Sequence, residues 1–398
     1  MRGIKTFSRL FLSEIASSTA EWLVTLGIQM ILIFQLEEDI LMVSILYLAA
    51  LTPKLFMAPL LGRVIDRFDD KRPQILTIIR IIATLLAIAL TTFNYPWFFV
   101  LLAFLLNIVI AGEEPSTLGI IRNADTDKDQ KEEALGLFYT MSNFMRIIGP
   151  IVASGIMYFS QGKLIFVVAA LLFALSAMMS RHTYGHKSQS ELDSETSTSK
   201  DLKIKDIFEN KLLVFLFFTV FSFLFSVNMI DTSIGILIRT INNNAIFQSL
   251  FIAFMGVGGV IGVLVTLYLM RKMDHLKITV TCIFLFSVVM WLIPLVHQVW
   301  QLLILGFLGG SFVPGIMMTS EVKRQTLVSE SQASQLAGMA LSFNALGQTL
   351  GVLFSPLIVK VFGVKGVFLF CGILVFALGC WGSYFIYTHL RKEKVLDN

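Results

Sequence analysis

Gly62-Arg63-Val64-Ile65-Asp66-Arg67-Phe68-Asp69-Asp70-Lys71-Arg72 stands between two apolar runs, Ser44 to Leu61 and Ile75 to Thr92. It gathers Arg63, Arg67, Lys71 and Arg72 with Asp66, Asp69 and Asp70. Between segments of membrane length such a charged stretch reads as a tight cytoplasmic turn, because Lys and Arg collect on that side of a bilayer.

The remaining sequence agrees with a membrane setting. Its 398 residues are 56% hydrophobic and 15% charged, against about 25% charged in soluble domains, and mean hydropathy is +0.78. Apolar runs fall near 8–34, 41–61, 75–93, 96–120, 134–159, 163–180, 211–237, 246–270, 278–296, 300–319, 334–360 and 364–389. At roughly 20 residues per span they predict twelve transmembrane helices. With the N-terminus inside, the outer segments hold only Lys163, Arg239, Lys360 and Lys365 of the 31 Lys and Arg residues, while Lys54, Arg80 and Arg146 lie within runs. All the others fall on the inner side, Lys323 and Arg324 among them, which predicts a multi-pass protein with both termini cytoplasmic. The basic N-terminus, Met1 to Arg9, reads as the start of the first helix.

Residues 182–210 include Ser-Gln-Ser-Glu-Leu-Asp-Ser-Glu-Thr-Ser-Thr-Ser-Lys, a polar linker with nothing to bury. It divides a six-helix bundle over 1–181 from a second over 211–398. His182 and His186 have no third ligand nearby, and Cys282, Cys371 and Cys380 sit in apolar runs without a CxxC pair, so no metal site or disulfide is expected. Phosphate loops, nucleophile triads and nucleic-acid-binding patches are absent from the sequence, so neither an enzyme, a cofactor nor a nucleic-acid partner is expected.

The halves repeat weakly at an offset near 202: Arg146 and Gly149 of the fifth run correspond to Gln348 and Gly351 of the eleventh, and Asp274 stands about where Asp66 stands in the first half. Gly-x-x-x-Asp-Arg followed by a basic pair, the twelve runs, the central linker and Gly149-Pro150 together resemble a major facilitator superfamily exporter over the whole chain. The resemblance implies an all-α membrane protein of two pseudo-symmetric six-helix bundles. It also implies a conformational latch in which Asp66 docks on a helix N-terminus, Arg67 pairs with a carboxylate and Gly62 permits the close approach. Asp69 and Asp70 replace the family's Gly and Arg, and the fourth-helix arginine of proton-drug antiporters has no counterpart in Leu106 to Gly119.

An ionisable side chain near the centre of a membrane helix costs about 2.5–3.5 kcal/mol on insertion scales, so each calls for a reason. Glu14 and Glu21 lie two turns apart on one face of the first run, with Trp22 beside Glu21 as a substrate wall. An ion pair between Glu21 and Arg146 would line a cavity. Asp231, with Asn228 a turn before it, occupies the seventh run, and Asn344 the eleventh; Gln29, Asn107 and Tyr139 add hydrogen-bonding groups. Glu113 and Glu114, before Pro115, read as a cytoplasmic gate paired with Arg80 or Arg122. A static structural role for each charge is the competing reading.

The expected function is proton-coupled export by alternating access, as a monomer in a bacterial cytoplasmic membrane, with a small-molecule substrate and protons as partners. Two carboxylates and a cation suit a polar or zwitterionic metabolite. The Phe- and Ile-rich sequence is similar to exporters of siderophores and staphylopine-type metallophores and to macrolide-efflux relatives. Efflux of cationic amphiphilic drugs and a non-transporting membrane sensor stay open as alternatives.

Overall fold

The computed structural model describes residues 2–66, 71–92, 94–122, 145, 148–153, 155–156, 162–180, 210–327 and 330–396. The linker 182–210, Asn210 excepted, and most of the fifth run, with Arg146 and Tyr139, lie outside the described residues. By internal contacts the chain divides into two units, Met1–Ser194 with Asn244–Ala253, and Glu195–Asn243 with Phe254–Asn398.

In the first unit the helices are α1 (Arg2–Met30), continued by a π-helix over Ile31–Gln35, α2 (Ile40–Asp66), α3 (Arg72–Ala89), α4 (Pro96–Ile110), α5 (Glu113–Arg122) and α6 (Leu164–Ser180). Prolines in the first turns of α3 and α4 start those helices where a missing N–H costs nothing. The fourth run, expected to be continuous, breaks at Ala111-Gly112. Pro115 has no amide N–H to bond the Ala111 carbonyl, and proline is tolerated in a helix's first turn, so the chain restarts as α5 from Glu113. By contrast α2 runs through Gly62 to Asp66, so the first half of the expected turn is helical, and 67–70 lie outside the described residues.

α1 and α3 both pack on α6, and α2 packs on α4. Leu23, Leu26 and Ile31 of the α1 segment, Phe99 of α4 and Phe166 and Phe173 of α6 form the core. The span Ser8–Gln35 is 72% buried and Ile246–Met270 only 28%. A helix buried on most sides presents its polar groups to protein, so the acids of α1 need partners inside the bundle.

The second unit comprises α7 (Lys211–Ile241), the part of α8 (Ile246–Met270) from Phe254 onward, α9 (His275–Leu292), α10 (Val299–Gln325) and α11 (Glu330–Leu396). Asn210 caps α7 by accepting from the amides of Leu212 and Leu213 at 3.1 and 3.2 Å. Asp274 caps α9 through Leu276 N at 2.8 Å and lies 3.5 Å from Lys323 Nζ. The eleventh and twelfth runs form the two arms of α11, separated where Gly363 takes φ +70°. That backbone favours glycine.

α7 packs against α11, and α9 against both α10 and α11. Aromatic contacts fill the joins: Phe215 meets Trp381 edge-on at 5.2 Å, Phe221 lies 4.8 Å from Phe343, and Phe223 meets Phe286 at 5.0 Å. Cys282 and Cys371 are free thiols packed in this unit, and Cys380 is exposed. Where α8 crosses α10, backbone meets backbone: a Cβ on Gly258 would fall 2.0 Å from Phe307 O, and one on Gly262 2.1 Å from Ser311 O. Small residues allow this approach, a main source of helix association when lipid surrounds the bundle.

Among the described residues seven stretches are long and apolar enough to cross a membrane, and the last, Ser342–Tyr387, has the length of two spans divided at Gly363.

Gly262→Ala should therefore separate α8 from α10 and lower the thermal unfolding midpoint markedly, with a cost on the order of 1–3 kcal/mol. Gly155→Ala, whose added Cβ meets nothing within 4 Å, should leave it unchanged or raise it. Equal midpoints in detergent for the two variants would contradict the close crossing.

Candidate functional site

Arg80 is fully buried on α3, and all three of its guanidinium nitrogens are used. Nε donates to Glu113 Oε1 at 2.6 Å and Nη2 to Glu14 Oε2 at 2.9 Å. Nη1 bonds the Ser13 hydroxyl. Ser17 donates to the same Glu113 oxygen at 2.5 Å, and Thr117 reaches Glu14 Oε2 at 3.4 Å. Ser176 of α6 completes the knot by donating to Ser13 O at 2.6 Å, while the Ser13 hydroxyl lies 3.1 Å from Ser176 O.

The sequence dictates this convergence locally. Ser13, Glu14 and Ser17 occupy adjacent positions on one side of α1, being one, three and four residues apart. The break before α5 places Glu113 in that helix's first turn, with Thr117 one turn on. Arg80 reaches both from the middle of α3. Glu14 and Glu113 are 8% and 6% exposed, so their charges are balanced by protein rather than water. One guanidinium faces two carboxylates. The knot has one acid more than it has bases.

A narrow cleft lies farther along α1. Glu21, Thr25 and Gln29 line it with Tyr47 of α2 and Asn107 of α4, among apolar neighbours. Gln29 Nε2 donates to Tyr47 Oη at 2.9 Å, and Asn107 Nδ2 to Ala103 O at 2.8 Å. Such a lining of two amides, a phenol and an acid can bind a polar ligand.

The second unit offers more dispersed groups. Asp231 is half-buried on α7, and Asn228 spends its amide on Leu224 O of its own helix at 3.0 Å. Beside Asp231, Thr232 donates to Ser355 Oγ at 2.8 Å and Ser233 Oγ lies 2.9 Å from the same hydroxyl, joining α7 to α11. Asn344 Oδ1 is a buried acceptor without a partner. Among the described residues no group of three His, Cys, Asp or Glu is placed to hold a metal ion.

Residues 10–285 and 216–396 match the sequence profile of the Major Facilitator Superfamily. The chain belongs to the Major Facilitator Superfamily. The fold is that of its transporters: the structure superposes on the nucleoside transporter NupG with a TM-score of 0.74, at 14% identity, over 96% of this chain and 99% of that one. A POT family transporter in complex with a thioalcohol-conjugated peptide matches at 0.70, with 14% identity and 96% of each chain covered. A bacterial homologue of the human lysosomal transporter Spinster, inward-facing and unoccupied, matches at 0.69, with 12% identity and 95% of each chain covered. No curated protein matches the chain by sequence. This facilitator is a membrane transport protein for a small-molecule substrate, not an enzyme.

Against the expectations for a facilitator's site, the structure brings Glu14 and Glu113 together on Arg80. It places Trp22 against Gly149, where a Cβ would come within 2.5 Å of Trp22 Cβ, and not in the cleft that Glu21 lines. Gly149 marks a close contact between α1 and the fifth run. Gly62 and Asp66 belong to α2, but their side chains, that of Glu114 and all of Arg67 lie outside the described residues. Arg146, the expected partner of Glu21, lies outside them too. Sequence reasoning missed the central position of Arg80; the signal was a lone arginine inside the third apolar run.

Arg80→Met leaves two buried carboxylates without their cation and should destabilise the protein by about 3–5 kcal/mol. Adding Glu14→Gln and Glu113→Gln to it should restore most of the loss, because the uncompensated charges go with it. A triple variant unfolding as early as the single one would show that Arg80 acts through packing alone.

Proposed function

We propose that this facilitator is a proton-coupled exporter of a small polar or zwitterionic metabolite from a bacterial cytoplasm, working by alternating access. The observation that carries the reading is the Glu14–Arg80–Glu113 knot. Two carboxylates on one guanidinium, away from water, carry a net negative charge that a single proton cancels. Since the three side chains belong to α1, α5 and α3, gain or loss of that proton changes the attraction among three helices at once. A proton taken up from outside neutralises the knot and its release inside restores the charge, so the proton gradient drives the cycle.

The cleft beside Glu21 lies on the same helix as Glu14 and is the proposed substrate wall, with Asn107, Gln29 and Tyr47 as hydrogen-bonding groups. The direction of transport rests on the resemblance carried by Gly149-Pro150, and the basic inner loops support termini on the cytoplasmic side. A metal-chelating amino-acid conjugate of the staphylopine type is the specific substrate put forward, because amino and carboxylate groups suit a cleft of amides beside an acid.

The test compares metabolites retained and secreted by metal-restricted cells that lack the gene or carry it as wild type, Glu14→Gln or Glu113→Gln. A chelating amino-acid conjugate should accumulate inside the deletion strain and be exported again by the wild type. Either Glu→Gln change leaves Arg80 with one carboxylate and a fixed neutral charge, and should lower the export rate by roughly tenfold or more at unchanged protein level. Normal export by both variants would remove the knot from the coupling mechanism. Unchanged secretion with heightened sensitivity to lipophilic cations would replace the metabolite by drugs as substrate.

A further inference from the structure

Among the described residues two arginines are fully buried, Arg80 and Arg324, and they are treated in opposite ways. Every nitrogen of Arg80 is paired. Arg324, in the last turn of α10, is 2% exposed, and only its Nη2 is paired, to Glu321 Oε2 one turn back. Its Nε and Nη1 have no hydrogen-bond partner. The guanidinium carbon Cζ lies over the Phe217 ring of α7, 5.1 Å from its centroid, a contact that satisfies no N–H.

A second orphan lies beside it. Ser320, four residues earlier on the same face of α10, is fully buried, and its hydroxyl is bonded neither to a side chain nor to the carbonyl of the preceding turn. A buried donor without an acceptor costs about 1–3 kcal/mol, and more when the donor is charged. Of the acidic neighbours, Glu321 bonds one nitrogen of Arg324 and Asp274 is engaged with Lys323 at 3.5 Å. The groups left open are three guanidinium N–H donors and one hydroxyl that can donate as well, a set dominated by donors and carrying positive charge. Its complement is an oxyanion.

We propose that Ser320 and Arg324 form a binding site for an oxyanion, a carboxylate or phosphate group, that enters when the end of α10 loosens from α7. Phe217 supplies the apolar wall behind the guanidinium. The site lies wholly in the second unit and does not depend on proton exchange at Arg80, so it stands or falls apart from the exporter reading. The oxyanion comes either from a soluble solute or from a lipid headgroup, and the chemistry at Arg324 is the same.

The full-length protein in phosphatidylcholine nanodiscs is titrated with inorganic phosphate and, separately, with succinate at constant ionic strength, reading the thermal unfolding midpoint. A saturable rise is expected for one of the two anions. Arg324→Gln should weaken its apparent affinity by roughly tenfold or more and Ser320→Ala by a smaller factor, while Lys323→Gln, which removes a neighbouring charge outside the site, should not. If the free anions have no effect but discs containing phosphatidylglycerol raise the midpoint of the wild type and not of Arg324→Gln, the oxyanion is a lipid headgroup. No saturable shift with phosphate, succinate or anionic lipid, or equal shifts in wild type and Arg324→Gln, overturns the site. Should Arg324→Gln fail to fold, Ser320→Ala decides, and wild-type affinity in that variant overturns it.

Discussion

The guanidinium of Arg80 is the constraint on which the first unit depends. Inside an apolar bundle a bare cation is prohibitively costly, so α3 is held where Glu14, Glu113 and the Ser13 hydroxyl reach it, and α1 and α5 are held in turn. Lipid tails are as apolar as leucine and give helices little reason to associate. Association must come from polar pairs and close backbone contact. The arrangement follows that rule throughout: Ser13 with Ser176 joins α1 to α6, Thr279 lies 2.6 Å from Thr319 between α9 and α10, and Ser355 ties α11 to α7.

The two units meet the constraint differently. In the first, ionic and hydroxyl groups gather into one knot. In the second, glycines bring backbones together and aromatic rings fill the remaining gaps, with the hydroxyl pairs as separate rivets. A knot with one charge out of balance responds to a proton, whereas a glycine crossing responds to little except a Cβ. The π-helix that ends α1, after Gln29 has bonded Tyr47, adds a local irregularity on the same element that carries Glu14 and Glu21. π-turns of this kind concentrate at functional positions.

Much of the fold was legible in the apolar runs, because membrane length and hydropathy constrain each segment by itself. The boundary expected between 360 and 364 falls at Gly363. The break in the fourth run was not expected, since Pro115 was placed within one continuous apolar run, and hydropathy does not report where a missing amide donor interrupts a helix. The site was legible only in fragments. Glu14 was grouped with Glu21 because seven residues are two turns of one helix, but the partner that holds Glu14 lies 66 positions away, and no local pattern reports that separation. Arg324 was counted among the loop charges of the inner side, yet α10 continues past it and buries it. Charge alone places such a residue near a membrane face and says nothing about which neighbour covers it.

That burial is why the two arginines have different consequences. For Arg80 the surrounding acceptors outnumber the cation, so the quantity free to vary is a proton, and the helices that feel it are those that supply the acceptors. For Arg324 the donors outnumber the acceptors, so the quantity free to vary is an anion. At Arg80 the imbalance is one carboxylate, at Arg324 it is the hydrogen-bond donors that its one partner Glu321 leaves open, and in both places it is shielded from water that would otherwise satisfy it at little cost. A transporter must move between conformations of nearly equal free energy. An unmatched charge against a wall of packed helices is one of few devices by which a single small ion can tip such a balance by several kcal/mol.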